Sequence, residues 1–93
     1  MVIGLLEVSG RVIGSSSLKD KRSVIKRGQT RIRNQFNLSV AEIGHQDDRQ
    51  ITELALVGVG SNRVIVEKEL QQALKLLESL DGLEIYEAEL SYL

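Results

Sequence analysis

The spacing of apolar positions along the chain switches between a period of two and a helical period, and each switch marks an element. Over residues 2–13, Val2, Leu6, Val8 and Val12 share one side at period two, which predicts a strand. Its other side is mixed, with Ile3, Leu5 and Ile13 beside Glu7, Ser9 and Arg11. Gly14-Ser15-Ser16-Ser17 breaks the pattern and offers hydroxyl caps, Ser17 being the best placed ahead of a helix. Over residues 18–36, Leu18, Ile25, Ile32 and Phe36 recur on one side at about 100° per residue, the mark of an amphipathic helix. Gly28 lies toward that side at a cost of about 1 kcal/mol relative to alanine, so it either weakens the helix or admits a close neighbour. Asn37 is expected as a left-handed C-cap, residues 38–43 as a short strand, and residues 44–50 as a loop between two strands.

Residues 51–59 are apolar on both sides, as in a strand from a sheet interior. Ser61-Asn62 caps a second helix, whose stripe of Val66, Leu70, Ala73, Leu74, Leu77 and Leu80 runs to the stop at Asp81-Gly82. Residues 83–93 form the last strand. The order βαββαβ, with no linker or low-complexity segment, predicts a single domain over residues 1–93: a ferredoxin-like α+β sandwich with two helices on one face of a four-stranded antiparallel sheet. The other face is then open. With Ile3, Leu5, Val57 and Val59 on it, a homodimer through that face is expected.

Composition narrows the chemistry. With 42% hydrophobic and 27% charged residues the chain is too apolar for disorder. It has no Cys, Pro or Trp, and His45 is its one histidine, so thiol nucleophiles, disulfides and histidine-rich or cysteine zinc sites are excluded. His45 with Asp47 and Asp48 lacks a spaced ligand set and reads as a solvated loop, and Glu42 as a buried partner for an arginine of the first helix. No nucleophile, base and orienting group assemble, so neither catalysis nor a cofactor is expected. No apolar run reaches the roughly 20 residues of a membrane span and no signal-peptide pattern opens the chain, which makes a cytoplasmic protein the default.

The net charge of −1 is a cancellation. Residues 11–33 carry eight cations against Asp20 alone, a balance of +7, whereas residues 64–93 carry two lysines against seven acids, a balance of −5. On the first helix Lys19, Arg22, Lys26 and Arg33 project within about 60° of one another. A solvated helix face gains support by alternating signs at i, i+4, and this one does not, so an anionic partner is expected. The alternatives are a phosphate-binding surface and a protein-interaction face that meets an acidic helix, strand or dimer mate. Phe36, Tyr86 and Tyr92 are the only aromatics and none lies on the first or third strand, so duplex or structured RNA fits better than stacked single strands. Ser15, Ser16 and Ser17, with Lys19 nearby, form a weaker candidate for an anion at a helix N-terminus. The stretch Val8-Ser9-Gly10-Arg11-Val12-x-Gly14 resembles the opening of acylphosphatases, but Ser16-Ser17-Leu18 stands where that family has Gly-Phe-Arg, and an acylphosphatase-like enzyme is disfavoured.

Met1-Val2-Ile3-Gly4, Ser17-Leu18-Lys19-Asp20-Lys21-Arg22 and the run from Arg31 through Phe36-Asn37-Leu38-Ser39-Val40-Ala41-Glu42, with the Ser61-Asn62 junction, resemble the YlxP-like family of uncharacterised bacterial proteins over nearly the whole chain. The resemblance implies a ferredoxin-like fold and no established catalysis. Genes of the family often lie among those for translation initiation and ribosome maturation, which by analogy favours RNA or ribosomal association. It marks Lys19, Lys21, Arg22, Arg31 and Arg33 as motif positions. Departures are the missing proline after the first strand, Gly28 in place of leucine, and Arg49-Gln50 in place of Trp-Gln. The sequence thus predicts a non-catalytic RNA or ribonucleoprotein binder acting through Lys19, Lys21, Arg22, Lys26, Arg27, Arg31 and Arg33.

Overall fold

In the computed structural model, which describes residues 1–93, the elements follow the predicted order: β1 (Val2–Val12), α1 (Leu18–Gln35), β2 (Ser39–Gly44), β3 (Ile51–Gly60), α2 (Arg63–Glu78) and β4 (Leu83–Tyr92). The sheet runs β2-β3-β1-β4 with every neighbour antiparallel, which is the ferredoxin-like α+β arrangement. Even positions of the two central strands face the helices: Leu6, Val8 and Val12 of β1 and Leu54 and Leu56 of β3 are buried with Ile25 and Ile32 of α1 and Val66, Leu70, Ala73 and Leu77 of α2. Both helices therefore cover one face, and burying those side chains supplies most of the drive to fold.

The caps explain where the helices begin. The Ser17 hydroxyl accepts the Asp20 N–H at 3.1 Å, and the Asn62 side chain accepts from the N–H groups of Val64 and Ile65. The ending of α1 differs from expectation. Phe36 is already extended while its N–H still reaches the Ile32 carbonyl, and His45 is the only non-glycine residue at positive φ, so Asn37 is not a left-handed cap. Gly10 and Gly28 sit at close approaches between elements. A Cβ on Gly10 would sit 2.6 Å from the Glu84 carbonyl oxygen, where the β1–β4 register shifts between Ser9 and Gly10. A Cβ on Gly28 would approach Leu80 to 3.0 Å, so this glycine admits the end of α2 against α1.

The sheet face away from the helices is open and has two halves. Ile3, Leu5 and Val57 are half-buried and Val59 is exposed at one end. Toward the other end, Glu7 lies directly across from Glu89, and these two line a hollow with Glu53 and Glu87. No helix is long and apolar enough to cross a membrane.

Candidate functional site

The cations of α1 separate into three groups by their angle around the helix. Arg22, Lys26 and Arg33 lie on the side toward β2, where with Ile25, Gln29 and Glu42 they line a groove of ≈ 370 Å³. Lys19 continues the stripe at the exposed start of the helix. The Arg33 guanidinium donates one hydrogen bond to the Val40 carbonyl at 3.1 Å, which fixes it over the edge strand with its other N–H groups left over. The chain has the ion pairs Arg11–Glu84 at 2.8 Å and Lys21–Glu42 at 3.2 Å and a contact of His45 with Glu53 at 2.9 Å, so none of Lys19, Arg22, Lys26 and Arg33 pairs with a carboxylate of its own chain. The stripe faces β2, not the acidic second helix.

Arg27 and Arg31 point the other way. The Arg27 guanidinium donates to the Asp81 carbonyl at 2.8 Å, and Arg31 shares a hollow between the helices with Gln72 and Lys75. Together with the groove this makes α1 cationic on both flanks of its buried side.

Lys21 is a correction. The sequence groups it with the phosphate-binding cations, yet its residue exposure is 0%. The ammonium is held by the Glu42 carboxylate and the His45 backbone carbonyl, while the Thr52 hydroxyl donates to the same Glu42 oxygen at 2.6 Å. A charge at that depth is tolerated only because it is paired and hydrogen-bonded. Glu42 does have a buried partner on α1, and that partner is this lysine. The pair joins Lys21 of the Ser-Leu-Lys-x-Lys-Arg stretch to Glu42 of the Ser-Val-Ala-Glu stretch. Gln29 and Thr52 are the site's members that charge counting passes over, whereas Glu42 is the buried partner the sequence predicts, with a lysine in place of an arginine; Gln29 is readable, since it falls between Ile25 and the cationic stripe by helical angle.

The helix N-terminus is the second correction. The Ser16 N–H and hydroxyl both donate to the Asp20 carboxylate, at 3.3 and 3.1 Å, and the buried Ser15 hydroxyl donates to the Ser17 carbonyl. An internal carboxylate thus fills the place proposed for an external anion at Ser15, Ser16 and Ser17. These bonds, the Ser16 N–H foremost, hold the Asp20 carboxyl below its ordinary value of 3.8. The sign follows: the stabilisation is present above the unfolded value and is lost as pH falls through the lower folded one. Asp48 is lowered in the same direction by the N–H groups of Ile51 and Gln50, which shapes the loop between β2 and β3.

His45 stands in that loop with φ 60, exposed and paired with Glu53. Arg49 is exposed beside Ser15, Ser16, Asp48 and Gln50. Arg11, the residue of the acylphosphatase-like stretch, spends its guanidinium on Glu84. Tyr92 stacks under the Arg63 guanidinium at 4.1 Å and donates to Glu67, and desolvation foremost raises its hydroxyl above the usual 10.0.

Comparison with known proteins agrees with this geometry at the level of family and fold. Residues 3–90 match a family model described as protein of unknown function (DUF503). The chain is 43% identical over 83 residues to the uncharacterized protein YlxP of Bacillus subtilis (strain 168), spanning 89% of this chain and 90% of that one. Among solved structures it resembles the de novo designed protein Foldit4, with a TM-score of 0.61 over 96% of both chains at 16% identity, a likeness of fold alone.

Proposed function

The chain belongs to the DUF503 family of proteins of unknown function, and from that premise we propose that it is a non-catalytic cytoplasmic protein that binds structured RNA or a ribonucleoprotein, with phosphates seated in the groove between α1 and β2. The observation that carries this reading is the groove itself: Arg22, Lys26 and Arg33 converge on it and none of them has a carboxylate partner. Their mutual repulsion costs stability in the free protein, and an anionic ligand removes that cost. The acids Glu7, Glu53, Glu87 and Glu89 lie on the opposite face of the sheet, so a polyanion approaching α1 does not meet them. Phosphate contacts of this kind position a protein on a backbone without reading sequence. Replacing Arg22, Lys26 and Arg33 together by Gln should weaken binding to an RNA hairpin by at least tenfold at low salt, as read by fluorescence anisotropy; an unchanged affinity refutes the assignment.

A homodimer is the second reading, favoured by a different observation. Met1, Val59, Val64, Ile65 and Leu93, five of the eight exposed large apolar residues, gather where β1 and α2 begin and β3 and β4 end. They continue into Ile3, Leu5 and Val57 of the open face. Burial of that surface against a second copy would remove it from water. Light scattering at micromolar concentration should give twice the mass of one chain, and Val59→Lys should return it to a monomer. A single-chain mass for the unaltered protein rules the dimer out.

A further inference from the structure

We infer that Lys21 is a positioning residue for the groove: by holding the Glu42 carboxylate inside the fold, it keeps that carboxylate from pairing with Arg22, Lys26 and Arg33 and so leaves their charges free for phosphate. The inference rests on the phosphate-binding reading of the groove and names the device that makes the groove usable. Glu42 is the one acid among the residues lining it. Its side chain is 14% exposed, whereas that of Lys21 is 1% exposed, so Glu42 stands at the boundary between the buried cluster and the groove. On the buried side its Oε2 receives the Lys21 ammonium at 3.2 Å and the Thr52 hydroxyl at 2.6 Å. The ammonium is oriented in turn by the His45 carbonyl, which a left-handed backbone at φ 60 turns inward at the end of β2.

Electrostatics gives the consequence. With Lys21 in place, the charge of Glu42 is cancelled within the fold and the groove presents three cations. Without it, the carboxylate shares the groove with the guanidinium groups of Arg22 and Arg33 and the ammonium of Lys26, and a charge-assisted Arg–carboxylate pair is among the stronger contacts a protein makes. A phosphate would then compete with an internal acid, and one contact would be lost from the count that sets the salt dependence of binding.

The test uses Lys21→Met, which keeps length and apolarity but removes the charge, and Lys21→Met/Glu42→Gln, which removes both charges and leaves an acceptor for Thr52. In the free protein, the Nε–H resonances of Arg22 and Arg33 should shift in Lys21→Met and return in the double variant. Against an RNA hairpin, the slope of log Kobs on log salt should fall by about 0.9, one duplex phosphate contact, in Lys21→Met and regain its original value in the double variant. Arginine resonances that stay in place in Lys21→Met overturn the inference whether or not RNA binds. A double variant whose slope remains low overturns it as well, since the role of Lys21 would then be structural. If Lys21→Met does not fold, the double variant decides: an original slope supports the inference and a reduced one overturns it. Failure of the phosphate reading itself looks different, as an unaltered protein whose affinity does not respond to salt.

Discussion

Glu42→Leu should destabilise the protein by about 3–5 kcal/mol, the cost of leaving a buried charge without its partner. Lys21 cannot escape to water, its side chain being 1% exposed, and the leucine would leave the ammonium with the His45 carbonyl alone while the Thr52 hydroxyl lost its acceptor. The opposite deletion should cost less. In Lys21→Met the remaining carboxylate, 14% exposed and bordering the cationic groove, has somewhere to go. Removing both charges with Lys21→Met/Glu42→Leu should recover most of the loss, because well-packed apolar replacements for a buried pair are often neutral or stabilising. Urea unfolding followed by circular dichroism measures all three. Equal losses for the two single variants would contradict the asymmetry, and a double variant as poor as Glu42→Leu would show that the hydrogen bonds of the cluster matter more than its charge.

Leu56→Ala should cost about 2–5 kcal/mol. Leu56 lies midway along β3, fully buried in the core, between Leu6 of β1 and Val40 of β2 in the sheet. Truncation there loses the transfer energy of the side chain and leaves a void that rigid neighbours on two strands cannot collapse into. Ile13→Ala is the matched control. That side chain is 58% exposed just past β1, outside the apolar patch, and its removal should change stability by no more than about 0.5 kcal/mol. A loss of less than about 1 kcal/mol at Leu56 would place the core elsewhere.

The architecture is readable because the helices and the central strands keep one period along their length; β4 does not, since the register shift opposite Ser9 and Gly10 skips Tyr86 and leaves it exposed. Val8 and Val12 on β1, and Leu70, Ala73 and Leu77 on α2, are buried where the pattern puts them. Gly28 was readable as a point of close approach, and Leu80 is the neighbour that approaches. Lys21 is buried where its net charge would place it in solvent. It stands three residues after Leu18, four before Ile25 and seven before Gly28, so helical angle alone puts it at the centre of the buried side; counting charges by segment hid this. Glu42 is readable as a buried partner for α1, but its pairing with Lys21 and not with an arginine is not, because the two lie 21 positions apart and only the sheet edge brings them together. The serine-rich turn differs from expectation for a physical reason: Asp20, one acid among cations, is the anion that the helix start binds. At the end of α1 it is Phe36 that turns extended, packed against the core, and not Asn37 that caps the helix.

The division of cations around α1 gives the central claim its sharpest form. If phosphates sit between α1 and β2, Arg22, Lys26 and Arg33 act together, whereas Arg27 and Arg31, turned toward α2, contribute only through general charge. The decisive measurement is therefore the salt dependence of binding to one RNA hairpin for the unaltered protein, for Arg22→Gln/Lys26→Gln/Arg33→Gln, and for Arg27→Gln/Arg31→Gln. The groove variant should lose about 2.7 from the slope of log Kobs on log salt, about 0.9 for each of three duplex contacts, and the other variant should keep nearly the original slope. Equal slopes for the unaltered protein and the groove variant, or a larger loss from Arg27→Gln/Arg31→Gln, would contradict the claim.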